Sequence, residues 1–283
     1  MNIAILGLGL MGRAIAQRIA GFGLTVRGYN RSPITDGPVG VVVSHTLDEA
    51  VAPAHIIWVM LADFAACEAV LLAEENQPLW RNRLVINGAT ISPDQSRTLA
   101  YAIHTLGGRY LEAPVLGSTP QAETGTLQIL LGGDAADIKR AESILQALGT
   151  PTHFGEVGQG AAVKLAMNQL IGSLTAAFSM SVGLVQREGV DITQFMETLR
   201  ASALYAPTFD KKLQKMLDRD FASANFPLKH LLKDLQLFTT AAESRQINTQ
   251  MVHSLTDILT HATTTGASDA DYSALFAEIV PPQ

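Results

Sequence analysis

Six residues near the start of the chain, Gly7-Leu8-Gly9-Leu10-Met11-Gly12, have the glycine spacing that lets a main chain cradle a pyrophosphate. The spacing alone is a weak signal; it becomes specific where a strand feeds it and a helix leaves it. Residues 3–6 read as the strand and residues 13–20 as the helix. Gly7 would allow the tight turn, Gly9 the close approach of phosphate, and Gly12 the packing of helix on strand. The open amides and positive dipole end of that helix then meet the phosphate charge. A second strand ends in Asn30-Arg31-Ser32, and Asn30 lies 18 residues past Gly12, where an acid would bind the ribose hydroxyls of NAD. No acid is there. Arg31 has the planar fork for a 2′-phosphate, with Asn30 and Ser32 as further hydrogen-bonding groups, so NADP is the predicted cofactor. The plain alternative leaves Arg31 as a solvated loop residue.

Other chemistry finds little in the sequence. The seven histidines show no HxxxH or HxH spacing, and with one cysteine no metal site is legible. Ser118 lacks the GxSxG context of a nucleophile elbow. His230 stands alone on a helical stretch, and Met60, Met167, Met180 and Met251 read as core filling.

The elements that must position these residues alternate. Short β-rich runs at 3–6, 25–29, 41–43, 56–60, 84–87, 109–112 and 127–131 are separated by helical stretches, the pattern of a parallel sheet wrapped by helices. After the glycine-rich joint Gly155-Glu156-Val157-Gly158-Gln159-Gly160 only helical periodicity remains. The expected architecture is α/β: a Rossmann-type nucleotide-binding domain over residues 1–157, then an all-α domain over 158–283 serving substrate and dimerisation. A long interdomain helix is expected over 160–188, closed by Gly189. It would be roughly 40 Å long at about 1.5 Å per residue. From Leu165 to Val185 it carries no charge, yet Asn168, Gln169, Ser173, Thr175, Ser179 and Ser181 interrupt it, which points to burial in protein rather than lipid. A helix apolar on nearly all sides needs cover on all sides, so a homodimer through this helix is expected.

The 283 residues carry 20 Lys plus Arg against 26 Asp plus Glu, a formal charge of −6, which argues against a nucleic-acid partner. With 47% hydrophobic and 16% charged residues, disorder and fibre are excluded. Cys67 is the only cysteine, so no disulfide framework exists. The apolar start has no basic leader and is broken by glycines. A cytoplasmic protein with no membrane partner is the expectation.

Several segments in one order make the chain resemble the β-hydroxyacid dehydrogenase family, the group containing 3-hydroxyisobutyrate dehydrogenase. Within it the resemblance is strongest to the glyoxylate and succinic semialdehyde reductases. The segments are GLGLMG, the NRS ending of the second strand, NGATISP, EAPVLGSTPQAETGTLQILLGGD, GQGAAVKLAMNQL and FPLKHLLKDLQL. The resemblance covers almost the whole chain and implies an α-helical second domain like that of 6-phosphogluconate dehydrogenase. It implies that Lys164 is catalytic, with Asn168 assisting. Residues four apart share a helix face, so both could face the interdomain cleft. A lysine ammonium can stabilise the charge that hydride addition develops on a carbonyl oxygen and supply the proton; Asn168 can orient it. From spacing alone, a lysine near a helix start reads as a solvated residue. The resemblance further implies cofactor contacts from Leu8, Leu10, Met11, Leu61, Thr90 and Lys233. It places Asp234 and Phe226 near substrate, although Phe226 also reads as core packing.

One departure concerns the substrate. Where relatives read APVSG, this chain has Ala113-Pro114-Val115-Leu116-Gly117, so an isobutyl group replaces a serine hydroxyl. Backbone amides around Gly117 and Ser118 remain as carboxylate donors in a more apolar pocket. Asn87 also stands where Asp is common in relatives. The leading expectation is an NADPH-dependent reductase of a small aldehyde or ketoacid such as glyoxylate or succinic semialdehyde. Imine reduction is the alternative favoured by Leu116 and disfavoured by Lys164. A catalytically idle NADP-binding protein is the further alternative.

Overall fold

The computed structural model describes residues 1–282. The chain divides into two compact units, Met1–Lys164 and Leu165–Gln283. The division falls inside a helix, a few residues beyond the glycine-rich joint.

The first unit is built on one sheet. Strands β1 (Asn2–Leu6), β2 (Thr25–Tyr29), β3 (Val41–Val43), β4 (Ile56–Val59), β5 (Leu84–Asn87) and β6 (Arg109–Glu112) run parallel in the order β3-β2-β1-β4-β5-β6. Each residue of β4 and β5 is buried, as expected of parallel strands covered on both faces. Helix α1 (Leu10–Gly21) packs on one side with Ile15 and Ile19 in a core that includes Ile3, Ile5, Trp58 and Ile86. On the other side, α2 (Leu47–Val51), α3 (Phe64–Leu71) and α4 (Pro93–Thr105) join Ala4, Leu6, Ile57, Val59 and Val85. Helix α4 starts cleanly because Ser92 and Gln95 form a reciprocal capping box and Pro93 takes the first helical position.

The sheet is not wholly parallel. The strand read at 127–131 is β8 (Leu127–Gly132), and it runs antiparallel to β6 and to β7 (Val115–Leu116). A further strand, β9 (Gly149–Gly155), pairs parallel to β8. Between these lie α5 (Thr119–Thr124) and α6 (Ala135–Leu148).

Helix α7 (Gln159–Arg187) extends one residue earlier and ends one earlier than the sequence reading. Gly189, at φ +73°, closes it: Val190 N donates to Val185 O and Gly189 N to Gln186 O. The second unit contains helices α8 (Ile192–Arg200), α9 (Pro207–Asp218), α10 (Leu228–Glu243), α11 (Gln250–Ala262) and α12 (Leu275–Ile279). Here α7 lays Gly172 against Leu231, Leu235 and Leu255, and packs Phe178 and Val182 with Phe209, Phe276 and Val280. By length and composition α7 could cross a bilayer, but this face is covered by protein. The opposite stripe is not: Met167 and Leu170 are exposed, and Met180 and Leu184 show 58% and 64% of their surface.

Candidate functional site

The glycine loop lies where the strand order reverses. Beyond Leu6, β1 is flanked by the ends of β2 and β4, through the pairs Leu6↔Tyr29 and Leu6↔Val59. A crevice at this switch point is where open α/β sheets bind ligands. Gly7 takes φ +95°, and a β-carbon there would lie 2.2 Å from Met60 O. At Gly12 it would lie 1.9 Å from Gly7 O. At Gly9 it would meet no atom within 4 Å. Two of the glycines therefore close the turn and seat the helix, and the third leaves open space over the start of α1. Gly9 caps α1 without a side-chain hydrogen bond, and no acid stands in the first turn, so the first amides and the dipole are free for an anion. These residues fit a dinucleotide pyrophosphate.

Asn30 ties the loop to the end of β2. Leu8 N donates to Asn30 Oδ1 at 3.1 Å, and Asn30 Nδ2 donates to Ser32 O at 2.9 Å. Gly7 N donates to Tyr29 O. Arg31 and Ser32 are exposed immediately beyond, beside the glycine loop. Arg13, which the sequence offered only as part of the helix, reaches the loop after β2 and donates from Nη2 to Asp36 O at 2.6 Å. Leu8 is buried while Leu10 is exposed and Met11 half-buried. With Gly9, Arg13, Ala14, Gln17, Thr119 and Glu123, Leu8 and Leu10 line a groove of about 270 Å³.

Leu61 and Thr90 follow β4 and β5, so they stand at the same end of the sheet as the glycine loop. Leu61 approaches within 3.0 Å of where a Gly7 β-carbon would be. The segment carrying Thr90 is shaped from behind: Asn87 Oδ1 accepts from Ala89 N at 3.0 Å, while Asn87 Nδ2 donates to Tyr110 Oη at 3.0 Å. That donation gives the amide at position 87 a purpose, since an ionised Asp has no donor.

Leu116 is half-buried on β7 and pairs with Gln128. Gly117 is exposed, but Ser118 is engaged: its backbone N and its Oγ both donate to Gln121 Oε1, at 2.9 and 2.7 Å. One amide expected to serve a carboxylate thus already has a partner within α5.

Lys164 is half-buried on α7, the last residue of the first unit. Asn168 follows one turn later and is 1% exposed. In the second unit Asn168 Nδ2 donates to Asp234 Oδ2 at 2.6 Å, and Lys233 Nζ lies 2.9 Å from Asp234 Oδ1. A carboxylate only accepts, so the amide orientation is fixed and its carbonyl faces away. Among the described residues Asn168 Oδ1 has no hydrogen-bond partner. A buried acceptor left open is costly in an isolated fold and useful where a ligand brings the donor. Phe226 is half-buried, with its ring 5.9 Å from that of Tyr272 in an edge arrangement. Burial, then Lys233, hold His230 below the ordinary histidine value, so it stays neutral near pH 7.

The sequence did not single out Glu112. Its side chain is buried at the end of β6, with Oε2 accepting from Ser96 Oγ at 2.6 Å and Oε1 from Gly160 N at 2.7 Å. The one available signal was an acid at the end of β6, directly before the Ala113-Pro114 segment.

Comparison with known proteins agrees with this geometry. Residues 2–160 match the model for the NAD-binding domain of 6-phosphogluconate dehydrogenase. Residues 158–279 match that for the NAD-binding region of NADP-dependent 3-hydroxyisobutyrate dehydrogenase. The chain is 31% identical to the chloroplastic glyoxylate/succinic semialdehyde reductase 2 of Arabidopsis thaliana, over 97% of this chain and 78% of that protein. It superposes on Mycobacterium tuberculosis 3-hydroxyisobutyrate dehydrogenase, solved with L-serine, at a TM-score of 0.84 and 23% identity, covering 97% of each chain. A reductive aminase of Aspergillus terreus, solved with NADPH and ethyl levulinate, aligns at a TM-score of 0.66 and 25% identity, again over 97% of each.

Proposed function

From the premise that this chain belongs to the β-hydroxyacid dehydrogenase family, and so is a nicotinamide-dependent reductase of the hydroxyacid dehydrogenase type, we propose that it uses NADPH to reduce a small carbonyl acid such as glyoxylate or succinic semialdehyde, with Lys164 as proton donor. The observation that carries the reading is the pinned amide of Asn168, one turn beyond Lys164, with an open carbonyl acceptor and no other described donor to fill it. A bound reduced nicotinamide supplies the hydride. Lys164 Nζ holds the proton for the oxygen on which charge develops, a role worth about 10²- to 10⁴-fold in rate. Asn168 Oδ1 accepts from the hydroxyl so formed, and Asp234 keeps the amide from turning.

The 2′-phosphate reading rests on Arg31 and Ser32, exposed beside the glycine loop with no acid at the end of β2. Initial rates with NADPH and NADH test it, and a clear preference for NADH would overturn it. A homodimer in which a second copy covers the exposed Met167, Leu170, Met180 and Leu184 stripe belongs to the same proposal. A monomeric mass in light scattering at micromolar concentration would contradict that part.

A second reading is supported by a specific observation. Leu116 in place of a hydroxyl, together with the engagement of Ser118 by Gln121, leaves this segment fewer donors for a carboxylate, as an imine reductase would need. Comparing kcat/KM for glyoxylate, succinic semialdehyde and a cyclic imine separates the two. The carbonyl acids are expected to lead because a lysine ammonium serves a developing alkoxide. A leading cyclic imine would replace the first reading with the second.

A further inference from the structure

We propose that Glu112 is a positioning residue for the reaction: its buried carboxylate anchors the first turn of α7 and so sets where Lys164 points. The inference rests on Lys164 being the proton donor. Glu112 is 1% exposed. Its Oε1 accepts from Gly160 N at 2.7 Å and from Ala161 N at 3.3 Å, and its Oε2 from Ser96 Oγ at 2.6 Å. Gly160 and Ala161 are the second and third residues of α7, whose amides have no partner within the helix. An anion at that end also opposes the helix dipole.

The surrounding sequence is shaped to admit this carboxylate. A β-carbon at Gly132 would lie 2.0 Å from Glu112 Oε1, and one at Gly160 would lie 2.5 Å from Leu130 O and 3.1 Å from Oε1. The second glycine of the GQGAAVK segment is therefore required chiefly by the close pass of Leu130 O, and its bareness also leaves room for the carboxylate beside it. Because Gly160 and Lys164 are four apart, they share a face of α7. Fixing the amide of one fixes the rotation at which the other leaves the helix.

The far side of the carboxylate is held with equal directionality. Asn87 Nδ2 donates to Tyr110 Oη, which lies 3.1 Å from Ser96 Oγ, and Ser96 Oγ donates to Glu112. With Tyr110 donating to Ser96, each group gives one hydrogen bond and takes one, and the chain terminates on the Glu112 carboxyl oxygen as acceptor. At its origin, Asn87 Oδ1 holds Ala89 N and with it the turn bearing Thr90. One buried network thus reaches both the Thr90 turn and the helix that carries Lys164. Burial raises the pKa of Glu112, and the Ser96 hydroxyl and the backbone donors of residues 158, 160 and 161 work against that rise.

The test is a set of double-mutant cycles. Glu112→Ala, Glu112→Gln and Ser96→Ala are each made in the wild-type and Lys164→Ala backgrounds. kcat is measured with glyoxylate, and the Kd for NADPH by nicotinamide fluorescence. A displacement near 1 Å at a reacting group costs about 100-fold. Glu112→Ala should therefore lower kcat by about 30- to 100-fold while the NADPH Kd stays within about threefold. Glu112→Gln, which keeps a carbonyl acceptor for Gly160 N, should restore kcat to within about fivefold. Ser96→Ala should cost about 3- to 10-fold and carries the test alone if Glu112→Ala does not fold. None of the three should lower kcat by more than about twofold once Lys164 is alanine, because a positioning residue acts only through the group it positions. Undiminished losses in that background, absence of rescue by Gln, or unchanged kcat in Glu112→Ala and Ser96→Ala would overturn the role of Glu112. Wild-type turnover in Lys164→Ala alone would instead overturn the assigned proton donor.

Discussion

Replacing Gly12 and Gly9 separately by alanine distinguishes a glycine that packs from one that faces a ligand. A β-carbon at Gly12 would lie 1.9 Å from Gly7 O. Ordinary carbon–oxygen contact begins near about 3.3 Å, so the first turn of α1 must move by roughly 1.4 Å. A hydrogen bond lengthened by that much is no longer one. If two amide–phosphate bonds are lost at about 1.5–3 kcal/mol each, NADPH binding weakens by about 3–6 kcal/mol, or roughly 10²- to 10⁴-fold. The same overpacking costs about 1–3 kcal/mol of stability, which a thermal melt registers. Gly9→Ala places its methyl where no protein atom lies within 4 Å, so the melting temperature should be unchanged. The methyl would nevertheless meet the pyrophosphate and weaken binding by about tenfold or more, read by calorimetry or nicotinamide fluorescence. Gly9→Ala binding NADPH as tightly as wild type would refute the placement of the pyrophosphate over this loop.

Two further perturbations follow from the same geometry. Leu116→Ser restores one hydroxyl, worth about 0.5–1.5 kcal/mol, and should raise kcat/KM for glyoxylate by about 3- to 10-fold relative to a cyclic imine. An unchanged ratio would mean that position 116 does not touch substrate. The Lys212 ammonium lies 2.7 and 2.9 Å from the oxygens of Asp271, whose side chain is fully buried, so Lys212→Met strands a carboxylate and should cost about 3–5 kcal/mol in urea unfolding at pH 7. Burial works to raise the pKa of Asp271, but Lys212 and Ser273 outweigh it and hold it below the ordinary aspartate value. A depressed folded value gives stability that is present above the unfolded pKa and lost as pH falls through the folded one. The penalty of Lys212→Met should therefore shrink on acidification through that range, and a constant penalty would contradict the assignment.

The sequence carried the nucleotide half of the fold because its signals are local. Strands β1, β4 and β5 are built on short apolar runs, and the glycine loop is contiguous in the chain. The missed strands lack such signals. β7 has two residues, while β9 is largely exposed and contains Pro151, so neither shows an apolar run or a clean alternation. The antiparallel turn of the sheet at β8 follows from pairing Val115 with Ile129 and Leu116 with Gln128, which no single-strand pattern encodes. At the candidate site, the four-residue spacing of Lys164 and Asn168 was legible. The contact of Asn168 with Asp234, 66 residues away, and that of Glu112 with Gly160, 48 away, exist only once the chain is folded. Ser118 shows the converse: a donor free by sequence is engaged three residues along by Gln121, through a helix start only six residues long.

The proton donor is the central claim, and Lys164→Ala tests it most directly. Single-turnover reduction of glyoxylate at saturating NADPH should slow by about 10²- to 10⁴-fold, with the NADPH Kd unchanged. Near-normal turnover by that variant would contradict the account.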